Sequence, residues 1–223
     1  MGNRTTKDAL FDAFGDVAKA LGNGRRAELI DVLGQGERHV DELADEIGQS
    51  VANTSFHLRV LATAGLVATR RDGTRIYYRL TSDRVAELWS ALRDVAAAHH
   101  EQLDELANAY LGDRTRLDEI GRDELAERIA VGNVVVVDVR PSAEYAAGHI
   151  AGALSIPIDD LAEHVRTLPA GVDVVAYCRG PYCVFADDAV RLLRRRGHSA
   201  QRLRDGFPEW RHDELPIDVG LAS

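Results

Sequence analysis

The residues best suited to covalent chemistry are the two cysteines of the chain, Cys178 and Cys183, which lie five positions apart. An apolar run at 174–177 precedes them and predicts a buried strand, and a helix is predicted over 184–196. Backbone N–H groups in such a loop, with the positive end of the helix dipole, favour the thiolate, which is the reactive form of cysteine. The same loop would hold a small anion or the terminal sulfur of a persulfide. The predicted anion-binding loop contains Gly180, Pro181, Tyr182 and Val184.

The role of Cys183 has two interpretations at this stage. It could attack a persulfide on Cys178 and leave a disulfide or a sulfur-bridged link between the two residues. Alternatively, it is an inert thiol at the start of the following helix. Two cysteines are too few for the disulfide framework of a secreted protein, so we expect a reducing, cytoplasmic location and a local chemical use of the pair.

Two further motifs of the second half of the chain are similar to those of a known family. The first is Asp138-Val139-Arg140-Pro141, followed by Glu144-Tyr145 and Gly148-His149-Ile150, and the second is Gly206-Phe207-Pro208-Glu209-Trp210. They resemble the two signature regions of rhodanese-like domains, and the resemblance spans about residues 115–217. It implies that Cys178 is the nucleophile that accepts sulfur and that Arg179 helps to draw an anionic sulfur donor.

The remaining charged residues of these motifs are interpreted as structural. Ion pairs and hydrogen bonds within the scaffold are expected for Asp138, Arg140, Glu144 and His149. A related class of phosphatases requires an arginine at the sixth position after its cysteine, and that position is Val184 here. Without a bidentate guanidinium, a transferring phosphoryl group has no charge stabiliser, so phosphatase activity is not expected.

The elements around these motifs alternate between strand and helix. Strands are predicted at 134–138, 154–156, 174–177 and 201–203, and helices at 122–131, 143–147, 160–168 and 184–196. Such alternation, with a nearly continuous apolar central strand, predicts an α/β domain with a parallel sheet covered on both faces.

The first half of the chain has a different pattern, since all six prolines lie beyond residue 140. Helices punctuated by glycine are predicted at 8–21, 25–33, 40–47 and 51–64, and a long helix at 82–111. Between them, strands at 66–70 and 76–80 flank Asp72-Gly73, a strong signal for a hairpin. The fold prediction is therefore two domains, a mainly α winged helix-turn-helix followed by an α/β domain with a parallel sheet.

A winged helix-turn-helix places its second helix in the major groove of DNA and its hairpin beside the backbone. The residues predicted to contact DNA from the helix are Gln49, Ser50, Asn53, Thr54, Ser55, His57 and Arg59, and those from the wing are Arg70, Arg71 and Arg75. The chain carries a net charge of −9, but residues 49–79 hold five arginines against one aspartate. That basic island suits double-stranded DNA.

The segment from Leu21 to Leu80 resembles the ArsR/SmtB family of bacterial repressors, most closely in its run from Gln49 to Val67. The resemblance implies an operator-binding repressor. Many members sense metals, through cysteines on the third helix or an acid/His pattern on the last one. Residues 40–47 contain no cysteine, and the adjacent His99 and His100 would point about 100° apart on a helix. No metal site and no cofactor are expected.

The helices at 8–21 and 82–111 carry long apolar stripes, and that of the second exceeds one small core, which predicts a homodimer held by both helices. Packing of this stripe against its own domain is the alternative. The predicted domains are residues 1–112 and 116–220, with a linker at Gly112–Thr115. No membrane association is expected, although Met1-Gly2 with Thr6 matches the loose pattern for N-myristoylation.

Taken together, the motifs predict a transcriptional repressor whose rhodanese-like domain senses or processes reactive sulfur through Cys178, with a small sulfur anion or persulfide donor as its ligand. Two other functions remain open. The domain could be an active sulfurtransferase that is only tethered to the regulator, or an inactive module that binds a ligand.

Overall fold

The computed structural model describes residues 3–220, and the chain divides into two compact units, one up to Val95 and one from Ala96 on. Met1 and Gly2, on which the myristoylation pattern depends, lie outside the described residues. The division falls within a helix and earlier than the predicted linker at Gly112–Thr115. The domain limits of 1–112 and 116–220 stay a prediction. Within residues 3–220, no helix has the length and apolarity that a membrane span requires.

The first unit is a helical core with an antiparallel sheet. Its elements are α1 (Arg4–Leu21), α2 (Gly24–Leu33), β1 (Arg38–His39), α3 (Val40–Glu46), α4 (Val51–Thr63), β2 (Val67–Asp72), β3 (Arg75–Leu80) and α5 (Asp83–His99). The sheet has the strand order β1-β3-β2. Its core includes the fully buried Leu29, Ile30, Leu43, Leu58 and Leu61.

Polar caps set the start of several of these helices. The Asn3 side chain accepts a hydrogen bond from the Thr5 N–H, which explains why α1 begins at Arg4 and not at the predicted residue 8. Asn23 caps α2 in the same way. The hairpin of β2 and β3 pairs Asp72 with Arg75, as its sequence signal predicts.

The long helix predicted over 82–111 is wrong in one respect, because it is broken after His99. Residues 100–102 form a turn in which the Leu103 N–H bonds to the His100 carbonyl at 2.9 Å, and α6 (Leu103–Leu111) follows. Asp104 and Glu105 lie in the first turn of α6, where acidic side chains stabilise a new helix start.

The second unit is built on a parallel sheet. After α6 its elements are β4 (Glu119–Ile120), α7 (Arg122–Val131), β5 (Val134–Asp138), α8 (Ser142–Ala147), β6 (His149–Ile150), β7 (Leu154–Ser155), α9 (Leu161–His164) with a 3₁₀ turn at Val165–Thr167, β8 (Asp173–Tyr177), α10 (Phe185–Arg195), β9 (Ala200–Leu203), α11 (Phe207–His212) and β10 (Ile217–Asp218). Strands β4-β9-β8-β5-β7 follow in that order, all parallel, and β10 pairs with β6.

Both faces of the parallel sheet are covered, which confirms the predicted α/β architecture. One core contains Val137, Val174 and Ala176 from the sheet with Val190 of α10, and the other contains Val136 and Val175 with Trp210 of α11. The helix predicted at 160–168 is shorter, since only Leu161–His164 is α-helical. The short strands β4, β6 and β10 and helix α11 were not predicted.

Candidate functional site

Helix α4 carries most of the predicted DNA contacts, and its own start uses one of them. The Ser50 hydroxyl accepts a hydrogen bond from the Asn53 N–H at 3.3 Å and caps the helix. The side chains of Asn53, Phe56 and Arg59 are exposed on one side of α4. These positions are therefore available to a partner in the groove of a nucleic acid.

Thr54 was predicted to contact DNA, but its side chain is fully buried. It shares a face with Leu58 and Leu61, at the i, i+4 and i+7 positions of the helix, and that face packs into the core. Its hydroxyl oxygen has no hydrogen-bond partner within the described residues. Thr54 cannot reach a base from this position.

His57 also turns away from the exposed side of α4. Its ring is half-buried, and Nδ1 is a buried atom without a hydrogen-bond partner in the described part of the chain. Burial lowers the pKa of His57, and the positive charges of Arg26 and Arg25 lower it further. The neutral ring is thus favoured. Of the other predicted contacts, Gln49 and Ser55 are half-buried.

The arginines of the wing differ in whether the protein itself compensates their charge. Arg70 is held by Glu37, with nitrogen–oxygen distances of 2.6, 2.9 and 3.2 Å, and stacks over the ring of Tyr77. Its charge is therefore already compensated within the protein. Arg71 and Arg75 are exposed on either side of the hairpin turn, where their charges face solvent.

Apolar side chains remain exposed on the helices that flank the first unit's core. On α1 they are Leu10, Phe11 and Phe14, and on α5 they are Leu88, Leu92 and Val95. Phe11 and Phe14 are 59% and 61% exposed, which is unusual for large aromatic side chains. A surface of this kind is typical of an interaction site.

The cysteine loop follows the central strand β8 and precedes α10. Cys178 is buried at 1% exposure, Cys183 is partly exposed, and the two are joined by a disulfide with Cα atoms 6.3 Å apart. The Cys183 N–H donates to the Gly180 carbonyl at 3.2 Å, which closes the loop as a turn. The structure thus contains the link that the spacing of the cysteines allowed.

Arg179 has a different setting from the one predicted. Its guanidinium is almost buried and bonds to the carboxylate of Glu144, with nitrogen–oxygen distances of 2.6, 2.9 and 3.1 Å. Glu144 is itself buried, and the pair compensates both charges. Arg179 therefore holds the loop to α8, with its charge paired to Glu144, and its part in drawing an anionic donor stays a prediction.

A second buried ion pair supports the sheet below the loop. Arg140 contacts Asp138 at 2.6 Å, and both side chains are fully buried. The Tyr177 hydroxyl donates to Asp138 at 2.5 Å, and burial, reinforced by the negative charge of Asp138, raises the pKa of Tyr177 well above its ordinary value. His149 is buried and stacks on Tyr145. These residues have the structural setting that the sequence predicted.

Gly206 lies directly against the backbone of the loop. A Cβ atom at this position would overlap the Arg179 carbonyl carbon and the Gly180 nitrogen. The next residue, Phe207, donates its N–H to the Cys178 carbonyl at 3.1 Å. The loop therefore rests on a surface that tolerates only glycine.

Two residues near the loop were missed by sequence reasoning. Arg114 bonds to the buried Asp187 and to loop carbonyls, although it lies in the segment predicted to be a linker. Asp187 lies in the first turn of α10 and is fully buried. The sequence around it does not indicate that this aspartate is buried. Residues 3–220 contain no cluster of three potential metal ligands.

Family models match both units of the chain. Residues 23–69 match the model for bacterial regulatory proteins of the arsR family, and residues 121–213 match the model for rhodanese-like domains. The HTH-type transcriptional regulator Rv0324 of Mycobacterium tuberculosis is 46% identical over 219 residues, which are 98% of this chain and 96% of that protein.

Solved structures resemble each half separately. The homodimeric winged helix-turn-helix DNA-binding domain of a possible ArsR-family regulator from Mycobacterium bovis is 42% identical, covers 46% of this chain and 94% of its own, and has a TM-score of 0.43. A rhodanese-related protein from Thermoplasma volcanium is 25% identical, covers 46% of this chain and 98% of its own, and has a TM-score of 0.42.

Proposed function

Because the chain belongs to the ArsR family of bacterial transcriptional regulators and carries a rhodanese-like domain, we propose that it is a repressor whose operator affinity is set by sulfur chemistry at Cys178. The proposal has three parts: a DNA-contacting surface, a dimer and a sulfur-reactive loop.

The proposed DNA-contacting surface consists of the exposed side of α4 and the tip of the wing. Asn53 is suited to bidentate bonding with adenine, and Arg59, Arg71 and Arg75 are suited to bases or phosphates. What supports this assignment is their exposure, in contrast to the buried Thr54 and the Glu37-paired Arg70. The ligand is double-stranded operator DNA.

We also propose a homodimer, supported by the exposed apolar side chains of α1 and α5. A second copy of the chain would remove Phe11 and Phe14 from water, at a gain of about 1.5–3 kcal/mol for each large side chain that becomes fully buried. A monomer by light scattering at micromolar concentration would contradict this part of the proposal.

The sulfur step starts from the reduced pair and needs a donor of sulfane sulfur, such as an inorganic polysulfide. The Cys178 thiolate attacks the terminal sulfur of the donor and forms a persulfide, and the rest of the donor leaves as a polysulfide anion one sulfur shorter. The Cys183 thiol then attacks Sγ of Cys178, and the outer sulfur leaves with the protons as hydrogen sulfide. The cysteines are oxidised to a disulfide, and the sulfane sulfur is reduced to sulfide.

The observation that carries this proposal is the disulfide between the only two cysteines of the chain. A sulfurtransferase must return to a free Cys178 thiolate after each cycle. Here Cys178 is held in a disulfide with Cys183. This link favours a switch over turnover.

The test measures operator affinity before and after treatment with sodium tetrasulfide. The duplex is one that the reduced protein selects from a random library. We expect treatment to weaken binding about 5- to 150-fold, the range of a typical coupling between sites, and a reductant to restore it. Unchanged affinity, with mass spectrometry confirming modification at Cys178, would contradict the switch.

Two variants separate the steps. Cys178→Ser should bind the duplex normally and ignore tetrasulfide, whereas Cys183→Ser should accept sulfur and respond only partially. A turnover assay with thiosulfate and a thiol acceptor tests the remaining alternatives. Rapid turnover with no change in DNA affinity would favour the tethered enzyme, and neither activity would favour a binding module.

A further inference from the structure

Arg114 occupies the segment that enters the rhodanese-like domain, three residues after the end of α6. Its guanidinium donates to the Pro181 carbonyl at 2.8 Å and to the Cys183 carbonyl at 3.4 Å, both in the cysteine loop. Its Nε bonds to a carboxylate oxygen of Asp187 at 2.5 Å. One side chain, 19% exposed, therefore joins the entering segment to the loop and to the first turn of α10.

Asp187 is the buried carboxylate to which Arg114 bonds. Its side chain is fully buried, and the hydrogen bond from Arg114 satisfies only Oδ2. Oδ1 lies 3.5 Å from Nε of Arg202, and neither atom has a hydrogen-bond partner within residues 3–220. Arg114, Asp187 and Arg202 therefore form one cluster of charges, in which burial, and then the positive charge of Arg114, lowers the pKa of Arg202. Within residues 3–220, Arg114 donates the one hydrogen bond that this buried carboxylate accepts, and Arg202 places a second positive charge beside it.

The backbone on both sides of Arg114 is also fastened to α10. Arg191 donates to the Asp113 carbonyl at 3.1 Å, and Arg194 donates to the Arg116 carbonyl at 2.5 Å. The Asp113 side chain accepts bonds from the N–H and the hydroxyl of Thr115, which form a turn. The segment predicted as a linker is thus hydrogen-bonded to α10 on both sides of Arg114.

We propose that Arg114 is a positioning residue that couples the oxidation state of Cys178 and Cys183 to the segment following α6. This inference rests on the proposed function and assigns its transmission step. Opening the disulfide, or adding a sulfur to Cys178, lets the carbonyls of Pro181 and Cys183 shift relative to Asp187, which is fixed in α10. Arg114 cannot then keep all of its bonds, and the segment that carries it moves.

The coupling must work in both directions, because a contact that responds to the disulfide also changes its stability. Arg114 binds the loop in its disulfide form, so it favours that form over the dithiol. Removing the guanidinium should therefore shift the cysteine pair toward the reduced state even when DNA is absent. A residue with a merely structural role would lower the stability of the fold and leave this equilibrium unchanged.

The first measurement is the fraction of disulfide in the full-length protein, equilibrated in glutathione buffers and read by alkylation and mass spectrometry. We expect Arg114→Ala to shift the equilibrium constant at least 5-fold toward the dithiol, near the lower end of typical couplings. Arg114→Lys keeps the charge without the fork of donors and should recover part of the shift. The matched control is Arg116→Ala, which removes an exposed arginine from the same segment and should match the wild type.

The second measurement is the ratio of DNA affinities in the reduced and oxidised states. Arg114→Ala should bind DNA like the wild type when reduced, and its ratio should fall toward one. If Arg114→Ala does not fold, Arg114→Lys carries both measurements. An equilibrium constant and a ratio within twofold of the wild type, in a folded variant, overturn the proposal. If the wild-type ratio is one but the redox equilibrium still shifts, Arg114 positions the loop and the switch itself is wrong.

Discussion

The recognition helix α4 and the cysteine loop distribute their functional side chains in opposite ways. On α4 the candidate contacts Asn53 and Arg59 are exposed on a regular helix. In the loop, Cys178 and Arg179 are buried and bonded to Cys183 and Glu144. From this difference we expect substitutions on α4 to act one residue at a time and substitutions in the loop to disturb it as a unit.

The largest expected effect is on the buried side of this comparison. Glu144→Ala leaves the Arg179 guanidinium buried without its carboxylate and should lower the free energy of unfolding by about 3–5 kcal/mol. The control is Asp8→Ala, which breaks an exposed pair with Arg4 and should cost about 1 kcal/mol or less. Urea unfolding of both full-length variants measures the two costs. Equal losses of unfolding free energy would mean that the Glu144–Arg179 pair stabilises the fold no more than an exposed pair does.

The wing supplies the next effect. Replacing Arg71 and Arg75 by alanine should weaken binding to every duplex and reduce the slope of log K against log salt by about 1 for each phosphate that the protein no longer neutralises. Arg70→Ala should change the slope less, because Glu37 already compensates its charge. Fluorescence anisotropy at several salt concentrations gives the three slopes. A slope for Arg70→Ala as low as that of the double variant would break the distinction.

Two neighbouring residues of α4 sharpen the comparison further. Asn53→Ala should change sequence preference, with a loss of about 1–3 kcal/mol at the bases it reads. Thr54→Val should leave preference unchanged and be neutral or stabilising, because it replaces a buried hydroxyl that lacks a partner within residues 3–220. Binding to a panel of single-base variants of the selected duplex tests both. A changed preference in Thr54→Val would mean that the helix turns a different face to DNA.

The smallest effect concerns pH. The pKa of His57 is lowered in the folded protein, so the unfolded chain binds a proton first as the pH falls below about 6.5. Stability is therefore present above that pH and is lost as the pH falls toward the lowered value. His57→Gln should flatten this dependence of the thermal midpoint, while His100→Gln, which replaces an exposed histidine, should not. A wild-type midpoint that is flat from pH 7.5 to 5.5 would contradict the assignment.

The sequence predicted the two folds well because their signals are local. Apolar periodicity located most of the helices and strands, and the rhodanese motifs pointed to the loop that contains Cys178. The orientation of α4 was also within reach, since Thr54, Leu58 and Leu61 follow helical spacing. Residue type misled there, because threonine suits a DNA contact as well as a core.

The contacts around Arg114 had no such signal. Arg114 and Asp187 are 73 positions apart, and only the folded sheet brings the entering segment beside the first turn of α10. The break between α5 and α6 was hidden for a related reason, since it contains neither glycine nor proline. The pairing of Arg179 with Glu144 likewise depends on a contact across 35 positions.

Gly206 is a position at which mutations should disturb the cysteine loop, and a genetic screen should recover them. Any side chain at this position displaces the backbone that carries the cysteines, yet the position lies in the second unit, outside the residues proposed to contact DNA. In a screen for bacteria in which the target genes stay silent despite added polysulfide, we expect substitutions of Gly206 to recur alongside those of Cys178. Such alleles would be dominant in a cell that also holds the normal gene, because an insensitive repressor continues to occupy its operator.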